Sequence, residues 1–104
     1  ADLVDALRVT TGEDWTLDRL MECGERIWCL KRSIGNLCGI SLADDVLPRQ
    51  LLTPLEEGSS AGSVPDLSMM LEEYYRFRGL DQQGRLLPDK LKNLGLEEIN
   101  DLLC

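Results

Sequence analysis

The chain has 104 residues, of which 43% are hydrophobic and 29% charged, a soluble globular balance with room for one core and no second. Its 11 basic and 19 acidic residues leave a net charge of −8, which repels phosphate backbones and anionic lipid and excludes nucleic acid and membrane surfaces as expected partners. There is no histidine, so His-based zinc sites, imidazole bases and Ser-His or Cys-His pairs are ruled out.

With only 5% aromatic residues, the core must rest on Leu, Ile, Val and Met. No apolar run approaches the roughly 20 residues that a bilayer span needs. The start, Ala1-Asp2-Leu3-Val4-Asp5, has neither an initiator Met nor the basic end and apolar stretch of a signal peptide. It reads as part of a longer chain.

In chain order, Leu3, Val4 and Leu7 place a helix over Ala1 to Val9, stopped by Thr10-Thr11-Gly12. The strongest helix follows Thr16, whose hydroxyl is suited to cap the first turn, with Asp18 at the positive end of the dipole. Trp15 and Leu20 flank that cap as a hydrophobic staple. Leu17, Leu20, Met21, Gly24, Ile27, Trp28 and Ile34 repeat at three and four as its core-facing stripe. Gly24 costs about 1 kcal/mol relative to Ala there, so it is expected to admit a close helix backbone. Gly35-Asn36 supplies left-handed residues to end the helix.

From Ser41 the pattern breaks, and Pro48, Pro54 and Glu57 to Ser63 predict one long irregular loop at about 41–64. Asp66 is the next expected cap. It opens a helix with Leu67, Met70, Leu71, Tyr74 and Phe77 as its buried stripe and Glu72 facing Arg76. Gly79 closes that helix, Asp81-Gln82-Gln83-Gly84 turns, and Pro88 starts a short helix that Gly95 ends. Leu96, Ile99, Leu102 and Leu103 mark a last amphipathic helix. No stretch alternates with period two. The expected fold is all-α, a single small helical domain over residues 1–104 with four to five helices.

Candidate chemistry is thin. Asp44-Asp45 is the most suggestive acidic pair, but adjacent carboxylates point apart, and capping a backbone group or pairing with Arg49 is the expected role. Asp81 to Gly84 lacks the alternating acidic residues of a calcium loop. Gly58 to Gly62 lacks the G-K-[ST] ending of a phosphate cradle. Tyr74 and Tyr75 offer phenols whose default role is packing, as is that of Trp28. Cys23, Cys29, Cys38 and Cys104 contain no C-x-x-C pair, and Cys23 and Cys29 stand about 240° apart around a helix. They read as small thiols in a reducing compartment, with disulfides the alternative. No catalytic, cofactor-binding or metal-ligating residue is assigned.

Three ordered blocks carry a resemblance. The first is Thr16-Leu17-Asp18-Arg19-Leu20 with Gly24-Glu25-Arg26-Ile27-Trp28, then Leu30 and Arg32. The second is Asp44-Asp45-Val46-Leu47-Pro48-Arg49. The third is Met70-Leu71-Glu72-Glu73-Tyr74-Tyr75 with Arg78-Gly79, Asp81, Gly84, Lys90-Leu91 and Leu94-Gly95-Leu96. Together, from about Ala6 to Leu96, they resemble the C-terminal part of the tungsten-containing aldehyde:ferredoxin oxidoreductase family.

The resemblance implies a cytoplasmic parent enzyme that oxidises aldehydes to carboxylates with ferredoxin as electron acceptor. It implies tungsten on a bis-pterin (molybdopterin-type) cofactor beside one 4Fe-4S cluster, both used for electron transfer. One branch of the family instead reduces an aromatic-ring thioester. The family's cluster motifs, C-x-x-C-x-x-x-C and Asp-x-x-Gly-x-Cys, do not occur in this chain. No cofactor ligand is therefore expected in this segment, whose expected partner is the remainder of the parent chain. Apolar surface around Trp15, Trp28 and Leu47 to Leu55 is expected to dock there. Two other readings differ in class: an independent acidic helical interaction module, and a helical protein binding metal through its thiolates.

Overall fold

A computed structural model of the protein describes residues 2–103. Ala1, the expected start of the first helix, and the thiol of Cys104 lie outside the described residues. Among those residues there are five α-helices and no strand, only isolated bridges pairing Leu55 with Ala61 and Leu80 with Leu86.

Helix α1 spans Asp2–Thr11. It runs past Val9 because the Thr10 and Thr11 hydroxyls donate back to the carbonyls of Ala6 and Leu7, each at 2.7 Å, keeping both threonines helical. Gly12, at φ 72, then stops it. Helix α2 spans Leu17–Leu37, capped by Thr16, whose hydroxyl accepts from the Arg19 N–H at 3.1 Å. At the corner between them Arg8 donates to the Trp15 carbonyl at 2.6 Å, and the Arg19 guanidinium lies 4.4 Å from the Trp15 ring centroid.

The long connection is irregular as expected, with short 3-10 turns at Leu42–Asp44 and Arg49–Leu52. Asp66 caps helix α3, Leu67–Arg78, by accepting from the Met69 N–H at 3.2 Å. Gly79, at φ 74, closes it in the left-handed conformation that a Cβ disfavours. Helix α4, Pro88–Asn93, carries its proline in the first turn, where no N–H is needed, and helix α5 spans Glu97–Leu103.

The core lies at the junction of α2, α3 and α4. Cys29, Tyr75, Leu80, Leu86, Leu91 and Leu94 form one buried cluster, and Trp28, Leu71, Leu96, Ile99 and Leu103 pack against it. Leu80 and Leu86 flank the turn after α3, so their bridge folds that turn inward over α2.

The structure corrects three expectations about which faces are inward. The apolar stripe of α2 is largely solvent-facing, with Met21 63% and Ile34 60% exposed. The face turned inward carries Cys29, Ser33 and Asn36, all buried. At ~100° per residue the mean directions of the two faces lie about 155° apart. On α3 it is Tyr75 that is buried, whereas Met70, Tyr74 and Phe77 are exposed. A Cβ added at Gly24 would meet nothing within 4 Å, so no neighbouring helix of the described residues packs there.

The expected stop at Gly35-Asn36 also fails. Neither residue turns left-handed, because the Asn36 side chain is fixed by bonds to the turn after α3, and Gly39 at φ 93 makes the reversal instead.

The shape is open. The radius of gyration is 18.2 Å, against ~13 Å for a compact domain of this length.

Candidate functional site

Beneath the long connection, a cleft of about 890 Å3 opens between the 3-10 turn at Leu42, the first half of α3 and the turn at Leu80 to Leu87. Its walls are apolar, from Val46, Leu67, Leu71 and Leu87, with Glu72, Arg76 and Asp81 also lining it. Asp45 and Tyr75 supply its polar floor.

Asp45 is the centre of a charged network. Arg32, on the inward face of α2, donates to both its oxygens, Nη1 at 2.9 Å and Nη2 at 2.5 Å, in the two-pronged geometry that suits guanidinium and carboxylate. The Tyr75 hydroxyl donates to the same carboxylate. Arg32 Nε donates to the Gly84 carbonyl at 3.0 Å. The hydrogen bond from Arg32 holds the Asp45 carboxyl below its ordinary range, and its own bond to Asp45 raises the Arg32 guanidinium. Burial, reinforced by the Asp45 hydrogen bond and charge, pushes the Tyr75 phenol up to about 12. At neutral pH Asp45 is therefore an ionised carboxylate and Tyr75 a neutral phenol, and each satisfies the other.

Asn36 ties the same floor to the next turn. Its amide donates to the carbonyls of Ile40 at 3.0 Å and Gly84 at 3.1 Å, and its oxygen accepts from the Leu86 N–H at 3.4 Å. Asp81 builds that turn by accepting from the N–H groups of Gln83 at 2.8 Å and Arg85 at 3.0 Å. Gly84 is required at its apex. It sits at φ +78, and an added Cβ would lie 2.5 Å from Arg32 Nη2.

A second network joins three helices. Glu25 accepts from Arg78 and from Lys90 Nζ, the latter at 3.1 Å. Burial acts to raise the Glu25 carboxyl, but the hydrogen bonds and charges of Lys90 and Arg78 together outweigh it and leave it lowered. Arg78 lies over the Trp28 ring at 4.7 Å and near Tyr74 at 5.7 Å, while Trp28 and Tyr74 meet edge to face with centroids 6.2 Å apart.

The residues singled out from sequence fall as follows. Asp44 and Asp45 do point apart: Asp44 accepts from the Ser41 N–H at 3.0 Å, and Asp45 turns to Arg32 rather than to Arg49. The Asp81 carboxylate is occupied by its own turn. Gly58 and Gly62 are exposed turn glycines. Cys29 is fully buried, and that burial raises its thiol; Cys23 is half-buried and Cys38 exposed, and all three are free thiols.

Sequence reasoning missed Arg32, Asn36, Gly84 and the Glu25–Arg78–Lys90 network. A second helical spacing on α2, through Glu25, Cys29, Arg32, Ser33 and Asn36, marked the inward face, but polar residues concealed it.

Among the described residues there is no group of three or more Cys, Asp or Glu placed to hold a metal ion. No helix of those residues is long and apolar enough to cross a membrane. The observed arrangement is an all-α segment whose charged groups at the cleft brace one another.

A family model described as aldehyde ferredoxin oxidoreductase, domains 2 and 3, matches residues 1–96, and the chain belongs to that family. It is 40% identical over 99 residues to the tungsten-containing aldehyde ferredoxin oxidoreductase of Pyrococcus horikoshii, covering 93% of this chain and 16% of that protein. The enzymes of the same name from Pyrococcus furiosus and Thermococcus kodakarensis are 36% and 35% identical over the same shares. The chain thus spans about 16% of the length of the curated relatives it matches.

Proposed function

We propose that this chain is the C-terminal helical part of a cytoplasmic enzyme that oxidises aldehydes to carboxylates and passes the electrons to ferredoxin. The parent enzyme would hold tungsten on a bis-pterin cofactor beside a 4Fe-4S cluster. Among the described residues no three Cys, Asp or Glu side chains converge as a cluster's ligands would. Ligation in this reading belongs to other parts of the parent chain. This segment packs on the cofactor-bearing part, helps exclude water from it, and contributes no catalytic residue.

The family match over residues 1–96 carries this reading. The state of the cleft supports it, because a general acid or base needs a free group with a pKa near the working pH. Asp45 is held low by Arg32, and Tyr75 is held near 12.

The test is made in the full-length enzyme, prepared without oxygen. Tungsten, iron and aldehyde-dependent ferredoxin reduction are measured for the parent protein and for Tyr75→Phe. The parent should hold both metals and reduce ferredoxin. The variant should keep turnover within about threefold, since loss of a general acid or base typically costs 10²–10⁴-fold. A parent protein without tungsten or without aldehyde oxidation would overturn the assignment. A hundredfold loss in folded, metal-loaded Tyr75→Phe would overturn the statement that the segment is non-catalytic.

A further inference from the structure

We infer that the apolar face formed by α2 and α3 around the Trp28–Tyr74 contact is the surface on which the remainder of the parent chain packs; this rests on the function proposed above. On α2 the face carries Leu17, Met21 and Gly24, which share one side of the helix with Trp28. On α3 it carries Met70 and Phe77, one turn to either side of Tyr74. The edge-to-face contact of Trp28 with Tyr74 joins the two stripes.

Charge at the rim of this face is compensated. Glu25, three residues before Trp28, accepts from Arg78 and Lys90, and Arg78 lies over the Trp28 ring. Lys31 on α2 and Glu73 on α3 border the two stripes.

Area points the same way. The accessible surface is 7907 Å2, whereas a self-contained monomer of this mass exposes about 5,900 Å2. The excess of roughly 2,000 Å2 on one partner is of the size buried in obligate interfaces. Phe77 alone is 80% exposed, an unusual state for a phenylalanine on a helix.

The occupant follows from length. The chain covers 16% of the relatives it matches, so the parent has ample further chain to supply a covering surface. A covalently linked surface competes at an effective concentration of the order of millimolar, which favours it over a second copy. Gly24 acquires a role here. Its missing Cβ faces open space within this chain, at the place where an external backbone can come closest.

Residue-resolved carbene footprinting of the anaerobic full-length holoenzyme tests this, with metal content and turnover measured on the same sample. Met69 is an internal control, because it is 54% exposed but is turned about 100° around α3 from Met70. Met21, Met70 and Phe77 should label roughly fivefold or more below Met69, as expected for side chains in the core of an interface. Equal labelling of all four overturns the inference, whether all are free or all are covered. Protection that disappears on dilution to the monomer assigns the face to a second copy and overturns it too. Free labelling in a sample that holds tungsten and turns over removes the face assignment alone; absence of tungsten and turnover removes the functional reading.

Discussion

Asn36 and Gly84, 48 positions apart in sequence, meet through a hydrogen bond from the asparagine amide to the glycine carbonyl at 3.1 Å. The same carbonyl accepts from Arg32 Nε, so one short loop is fixed to α2 by two side chains a turn apart. Asn36→Ala removes that bond and leaves the buried Leu86 N–H without its side-chain acceptor. Such losses cost about 2 kcal/mol. An unfolding free energy from urea denaturation changed by less than about 0.5 kcal/mol would show that the amide is not structural.

Gly84→Ala should be costlier than its size suggests. A Cβ there meets Arg32 Nη2 at 2.5 Å and the Tyr75 hydroxyl at 3.0 Å, on a backbone at φ +78. A loss of about 2–3 kcal/mol is expected from strain and displacement together. Gly24→Ala is the contrast within this chain. Its Cβ enters open space on a helix, and the substitution should stabilise by about 1 kcal/mol. Both are read from denaturation midpoints, and a common sign for the pair would contradict the placements.

Asp45→Asn leaves the Arg32 guanidinium, whose side chain is 14% exposed, without its anion. Losing one member of a buried pair costs 3–5 kcal/mol, and partial solvent access reduces this to about 2–3 kcal/mol. The exposed Glu72–Arg76 pair, with side chains 73% and 75% exposed, should show nothing beyond about 0.5 kcal/mol in the same denaturation series.

Stability should fall at both pH extremes. The lowered folded-state pKa values of Asp45 and Glu25 give a contribution present at neutral pH, which is lost as pH drops from the ordinary carboxylate range through those lower values. Tyr75 acts in the opposite direction. Its phenol rises from 10.0 to about 12 on folding, so its contribution is complete below 10 and fades as pH climbs toward 12. Tyr75→Phe should flatten the alkaline limb of a midpoint-against-pH curve and leave most of the acid limb. An unchanged alkaline limb would exclude Tyr75 as its source.

The thiols should react in order of access and acidity. Cys38 is exposed, Cys23 half-buried, and Cys29 buried with its pKa raised by that burial. Among these three thiols, alkylation followed by peptide mass analysis should therefore find Cys38 modified first and Cys29 last, by orders of magnitude in rate. Rapid loss of the Cys29 thiol under native conditions would mean that the core opens there.

Local signals were legible wherever a backbone group needed a specific neighbour. Thr16 and Asp66 cap the helices assigned to them, Gly79 and Gly95 are left-handed at the expected stops, and Pro88 stands in a first turn. Helix number and the irregular stretch after Ser41 were legible for the same reason.

Facing was not. Apolar periodicity locates an amphipathic helix without naming the surface its apolar side meets. On α2 that side turns away from this chain's own core, and Cys29, Ser33 and Asn36 turn in. Tyr74 and Tyr75 were separable only by knowing that Asp45 waits beside one of them. Arg32 gave no local sign of its partner, because the carboxylate it holds lies across a turn and outside the helix.

The Asp81 turn closes on hydrogen bonds reaching only two and four residues along the chain. Closures that short are complete in well under about a microsecond, whereas the 48-residue span between Asn36 and Gly84 must be searched through a much larger loop. The turn should thus be assembled as a ready-made plug before α2 finds it. The slow event in folding is then docking, and substitutions in Asn36 should slow refolding while those in Asp81 shift how much of the chain begins the search prepared.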